Sequence, residues 1–171
     1  INSKLKVERV LVVSEINDDD LDKLLNLPGY PSVIQLHGNE STSRCKDLRR
    51  NYPMFKWWKA FRLKKQEDLF LLTDYEKYVD AFLLDAWSKN QLGGTGKRIP
   101  IQWLKETKFN IPWWIAGGIA RESISEVLSN LKPYGIDASS KLEHSPGIKD
   151  ITKVKALMNA MAMMKMNSNE N

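Results

Sequence analysis

Ala81-Phe82-Leu83-Leu84-Asp85-Ala86 is the stretch from which the rest of the chain is read. Its apolar run predicts a buried strand that ends on a carboxylate, with Gly93-Gly94-Thr95-Gly96-Lys97 a few residues beyond. In α/β proteins the carboxyl ends of parallel strands are where loops bring backbone and side chains to one ligand. Asp85 is therefore the first candidate for chemistry.

Composition narrows the setting. A chain of 171 residues suits one domain with a real core, and 42% hydrophobic with 27% charged residues is ordinary globular usage. No apolar run reaches the roughly 18 residues needed to span a bilayer, and no charged-then-apolar leader opens the chain. A soluble, cytoplasmic protein without a membrane partner is expected. One cysteine and two histidines make neither a disulfide framework nor a zinc module, so carboxylates, backbone and bases must carry the chemistry, and no metal is expected. The net charge of +5 suits an anionic ligand such as a phosphate. Lys and Arg are scattered among Asp and Glu without a basic block, which favours a solvated surface over a nucleic-acid footprint.

Outward from Asp85, strand and helix signals alternate. Val10-Leu11-Val12-Val13 predicts a strand, and Asp18-Asp19-Asp20 a helix cap ahead of Leu21, Leu24 and Leu25. Pro28-Gly29 breaks that helix before a second strand, Val33 to Gly38, and a helix from Ser41 whose inner face includes Cys45 and Leu48. A third strand runs from Phe55 to Arg62, followed by a helix near Glu67 to Leu72; the fourth is Ala81 to Asp85, with a helix around Trp103 and Leu104 after its long loop. Pro112 to Ala116 is the fifth, closed by Gly117-Gly118, with Ile124, Val127, Leu128 and Leu131 then at helical spacing. Ile136 to Ser140 is the sixth, and Pro146-Gly147 and Asp150 lead into a last helix carrying Ile151, Val154, Met158 and Met161. Six alternations without a linker predict one parallel-sheet α/β domain over 1–171. The run Met158 to Met166 reads as core packing that frays into a polar tail, 167–171.

Of the nine glycines, Gly38, Gly93, Gly94, Gly96, Gly117 and Gly118 fall just beyond predicted strands. Glycine there makes a tight turn, or lets backbone amides approach an anion in front of a helix N-terminus. With Asp85, His37 and Ser139-Ser140 at the same end, a site is the favoured reading.

Seven motifs in order carry a resemblance. They are Gln35-Leu36-His37-Gly38-Asn39-Glu40, Lys59-Ala60-Phe61-Arg62, Leu83-Leu84-Asp85, Gly93-Gly94-Thr95-Gly96-Lys97, Trp113-Trp114-Ile115-Ala116-Gly117-Gly118-Ile119, Ile136-Asp137-Ala138-Ser139-Ser140-Lys141-Leu142-Glu143 and Pro146-Gly147-Ile148-Lys149-Asp150. Over nearly the whole chain this pattern resembles phosphoribosylanthranilate isomerase, and the Trp-rich wording resembles its cyanobacterial members. The resemblance implies a (β/α)8 TIM barrel and a cofactor-free Amadori rearrangement in tryptophan biosynthesis. In that reaction a phosphorylated aminoaldose becomes the carboxyphenylamino-deoxyribulose phosphate. It implies Asp85 as general acid on the ribose ring oxygen. It implies a substrate-binding set of Arg62 and Gly94, His37 near the anthranilate part, Gly117, Gly118, Ser139 and Ser140 for the phosphate, and Asp137 orienting the phosphate donors. The loop Gly93 to Lys97 lacks the P-loop spacing and reads as a mobile cover.

The chain departs from the family in length. A barrel of this type has about 200 residues or more and eight strands, and six strands are predicted here, those the resemblance numbers three to eight. The family's catalytic base, a cysteine at the end of strand one, has no counterpart. Cys45 falls on a helix and reads as a small buried hydrophobe. Three explanations stand open: a partial sequence of an ordinary isomerase, a short protein that closes its sheet as a homodimer or with an N-terminal complementing fragment, and a remnant that only binds sugar phosphate. Taken as complete, the chain is expected to turn over near background. A non-catalytic sugar-phosphate module is the second functional class. A third, indole-glycerol-phosphate synthase, needs a catalytic lysine and glutamates that are not found, Lys59 being the only strand lysine near such a position.

Overall fold

The computed structural model describes residues 7–86 and 98–168, with side chains through 164. Six strands form one sheet in sequence order: β1 Val10–Val13, β2 Val33–Leu36, β3 Lys56–Leu63, β4 Ala81–Ala86, β5 Trp113–Ile115 and β6 Gly135–Ile136. Every neighbouring pair is parallel. Parallel neighbours require a crossover each time, and these are supplied by α1 Asp18–Leu25, α2 Thr42–Asn51, the 3₁₀ segment Gln66–Tyr75, α3 Ile101–Lys105 and α4 Arg121–Asn130. A second 3₁₀ segment, Ser140–Leu142, then leads to an antiparallel hairpin of β7 Glu143–Ser145 and β8 Ile148–Lys149, and α5 Ile151–Ser168 follows. This is the βα repeat of a TIM barrel, seen here as six consecutive strands.

A period of two sorts each strand. Leu11, Val13, Ile34, Leu36, Trp57, Phe82, Leu84, Trp113 and Ile115 face the helices, joining Leu21, Leu48, Leu72, Ile124, Val127 and Leu157 in the main core. Edge-on contacts of Phe82 with Phe61 and Phe109, at 5.3 and 5.5 Å, lock its centre. On the opposite, concave face lie Ala60, Leu83 and Ala116, with Trp58 stacked on Trp114 at 4.7 Å. The same alternation carries Gln35, Arg62 and Asp85 onto the concave side at the carboxyl ends of β2, β3 and β4.

Several expectations change in detail. Asn17, not the Asp run, caps α1: its side chain accepts the Asp20 N–H at 2.8 Å, leaving the three aspartates in the first turn, where the helix dipole favours them. Leu131 is extended and ends α4. The predicted sixth strand stops at Ile136, because Ser139 leaves the extended region and Ser140 begins a 3₁₀ turn. Pro146-Gly147 turns the hairpin, with Gly147 at φ 80°. The methionine run is not uniformly core: Met161 packs inward, while Met158 and Met163 are exposed. Of the expected polar tail, 167 and 168 belong to α5 and 169–171 lie outside the described residues.

Candidate active site

Asp85 ends the apolar run of β4 and is 8% exposed. It lines one small cavity with Ala116, Gly117, Gly118, Asp137, Ser139, Ser140 and Lys141. The sheet brings these together by simple stepping: the Ala116 N–H donates to the Leu84 carbonyl and the Asp137 N–H to the Ile115 carbonyl, each at 2.8 Å. The ends of β4, β5 and β6 therefore lie side by side. Gly117 and Gly118 both take left-handed backbone, φ 83° and 64°, which glycine adopts without strain. Ser123 in the first turn of α4 braces that turn, its hydroxyl accepting the Ala120 N–H at 3.0 Å and lying 3.1 Å from the Gly118 carbonyl it can donate to.

Burial pushes the Asp85 carboxyl above its ordinary value. Its bond from the Ala86 N–H, at 2.7 Å, and the charges of His37 and Arg62 oppose that rise, while Asp137 adds to it. Asp137 is also raised, chiefly by desolvation among the surrounding atoms, with His37 and Lys149 opposing. Its accessible surface is nevertheless open to solvent, so the effect carries less weight than at Asp85. A raised carboxyl can hold a proton closer to neutral pH and give it to a substrate oxygen.

His37 and Arg62 reach this centre from the side. Arg62 is the cross-strand partner of Asp85 and lines a neighbouring cleft of about 290 Å³ with Phe61 and Tyr75. His37 follows β2, and its Nδ1 lies 2.9 Å from the Gln35 side-chain nitrogen. Donation by that amide makes Nδ1 the acceptor, so Nε2 is the ring's N–H. The expected loop Gly93 to Lys97, Gly94 included, lies outside the described residues.

Reading the chain alone missed four supporting residues. Gln35 and Ser123 act only through partners that folding supplies. Lys141 lines the cavity, and Lys149 in β8 donates to Ser139 Oγ at 3.1 Å while paired with Glu143 at 2.6 Å. Cationic side chains therefore stand beside the serine donors of the cavity. Cys45, as expected, is a core residue of α2, and burial pushes its thiol up to about 11. Among the described residues no group of three His, Cys, Asp or Glu could hold a metal ion.

A family model described as N-(5'phosphoribosyl)anthranilate (PRA) isomerase matches residues 2–160. The chain belongs to the phosphoribosylanthranilate isomerase family. Its cyanobacterial relatives include the N-(5'-phosphoribosyl)anthranilate isomerase of Synechocystis sp., 41% identical over 134 residues, which are 77% of this chain and 62% of that protein. The enzyme of the same name from Nostoc punctiforme is 44% identical over 72% of this chain and 59% of its own length. The chain thus spans about three-fifths of the length of these curated relatives. The crystal structure of the Thermus thermophilus phosphoribosyl anthranilate isomerase superposes with a TM-score of 0.74 at 29% identity, over 92% of this chain and 74% of that one. The family and its barrel class agree with the resemblance carried by the seven motifs.

Proposed function

We propose that this chain supplies the acid and phosphate-binding half of a phosphoribosylanthranilate isomerase. The observation that carries the reading is a buried carboxyl, Asp85, raised by its surroundings and sharing one cavity with Gly117, Gly118, Ser139 and Ser140. The amides of the glycine turn and the two serine hydroxyls hold the substrate phosphate, with Lys141 and Lys149 adding positive charge. Asp137 orients the donors from the side. Asp85 gives its proton to the ribose ring oxygen, the C1–O bond breaks, and the anilino nitrogen's lone pair forms the imine. A base then takes the C2 proton to leave an enolamine, which tautomerises to the ketose. His37 presents its Nε2 proton to the anthranilate part, and Arg62, a planar cation beside Asp85, suits a substrate carboxylate.

The only cysteine of these 171 residues is a buried helix residue, so we assign the base to a segment or partner outside this sequence. The open faces support this. β1 and β6 each have one sheet neighbour among the described residues, and Val10 and Val12 stand exposed on the concave side, where further strands would cover them. An N-terminal complementing fragment or a second copy of the chain fits that place. No helix among the described residues is long and apolar enough to cross a membrane, and a cytoplasmic setting suits an amino-acid biosynthetic step.

A second reading, sugar-phosphate binding without catalysis, follows from the same missing base. The deciding experiment measures conversion of the aminoaldose phosphate by the chain alone and after mixing with a fragment carrying the first two strands of a cyanobacterial relative. Turnover restored by mixing and abolished by Asp85→Asn supports the isomerase. Binding of a reduced ketose-product analogue with no conversion in either case supports the second reading.

A further inference from the structure

We propose that Glu40 and Lys59 form a buried ion pair whose role is to position His37, by holding the backbone on both sides of it. The inference rests on the site reading above for what His37 does, but not for how it is held. Both side chains are 3% exposed and meet at 3.1 Å, the one ion pair among those of the described residues with both members fully inside. Lys59 Nζ donates to the carbonyls of Gly38 and Ala60, each at 2.9 Å, and lies 3.4 Å from that of Leu36. Glu40 Oε1 accepts the N–H of Gly38 at 3.1 Å and of Glu15 at 2.8 Å. The residues before and after His37 are both tied to this pair, and Gly38 is held by both its N–H and its carbonyl. The ends of β1 and β2 and the middle of β3 thereby share one anchor.

Gly38 has no room for a side chain. A Cβ there would come within 2.7 Å of Glu15 Cγ and Glu40 Oε1 and 2.8 Å of Ser14 Oγ, so the turn after His37 is pressed directly onto the pair. Lys59 lies on the helix-facing side of β3, outside the cavity of Asp85 but on the wall of the cleft that Arg62 lines, and all its protons have acceptors. It is thus neither a nucleophile nor a substrate ligand. Burial pushes the Glu40 carboxyl upward, but the Glu15 N–H and the Lys59 charge outweigh this and leave it below its ordinary value. A buried pair of this kind costs desolvation and is commonly replaceable by apolar residues without loss of stability. Its worth here is geometric: misplacement by a fraction of an ångström at a binding group can cost large factors in rate or affinity.

The test uses the full chain carrying His144→Gln, which leaves His37 as the single imidazole. The double variant Glu40→Gln with Lys59→Met keeps the shape and removes the charges. Expected are a melting temperature close to the parent's, shifted His37 imidazole ¹⁵N and Gly38 amide resonances, and an affinity for a reduced ketose-product analogue weaker by about tenfold or more. A folded double variant with unchanged His37 and Gly38 resonances overturns the proposal. Should the double variant not fold, amide exchange of the parent decides: Gly38 and Glu15 protected like strand amides supports the anchor, and exchange at open-loop rates overturns it. A parent that fails to bind the analogue counts against the proposed function alone, since the resonance and exchange results need no ligand.

Discussion

Asp85 and Asp137 line one cavity at the ends of β4 and β6, the first buried among apolar strand residues and the second within reach of solvent. Both carboxyls are raised, chiefly by burial, and the charge of Asp137 adds to the rise at Asp85. Only Asp85 combines the raised value with deep burial, so the two are expected to separate in mutagenesis. In the complemented enzyme, Asp85→Asn should lower turnover by about 10²- to 10⁴-fold, the usual worth of a general acid. Asp137→Asn should act mainly on KM. Steady-state kinetics of the two variants check this, and equal losses in kcat would assign Asp137 to the chemistry as well.

Stability should respond to Asp85 in the opposite sense. Its folded pKa lies above its unfolded one, so the stability tied to its protonated form is complete below the unfolded value near 3.8 and is lost as pH rises through the folded value. Once ionised, Asp85 is a buried charge that Asp85→Asn lacks, while the Ala86 N–H keeps an acceptor. The variant should therefore melt a few degrees higher at pH 7, with the difference closing toward pH 4. Thermal melts across that range test it, and a variant less stable at pH 7 would contradict it.

The Gly117-Gly118 turn offers a backbone test. Left-handed φ at both positions makes alanine strained, at a cost of about 1–2 kcal/mol for each replacement. Gly118→Ala should lower the denaturation midpoint accordingly and weaken phosphate competition, because the amides no longer converge. Chemical denaturation with the linear extrapolation reads the first effect, and analogue displacement by phosphate the second.

Cys45 separates packing from catalysis. Its thiol, pushed up to about 11 inside α2, should resist thiol reagents until the chain unfolds. Cys45→Ala should leave turnover of the complemented enzyme within about twofold while costing roughly 1 kcal/mol of stability. Rapid labelling of the native protein would contradict the burial.

How far the sequence reached follows from these residues. The strands were legible because parallel strands are apolar on both faces and read as short runs, as Ala81 to Leu84 does. Asp85, Gly117-Gly118 and Ser139-Ser140 were legible because each interrupts or closes such a run. Gln35 against His37 and Lys149 against Ser139 were not, since the first depends on how two side chains orient at the end of β2 and the second exists only once the β7–β8 hairpin folds back. Nor was the ion pair of Glu40 with Lys59, 19 positions apart on separate elements. Gln66–Tyr75 formed a 3₁₀ segment because Leu69 and Leu72, three apart, are its buried anchors, which a helical period of 3.6 imitates over so few residues.

The central claim is that the cavity beyond β4, β5 and β6 holds the phosphate of the isomerase's substrate. Titration calorimetry of the chain with a reduced ketose-product analogue tests it most directly. The account predicts saturable one-to-one binding that inorganic phosphate competes for and that Ser139→Ala with Ser140→Ala weakens by about tenfold or more, as expected on losing hydrogen bonds to a charged group. Binding that ignores both phosphate and the serine substitutions, or no saturable binding at all, would contradict it.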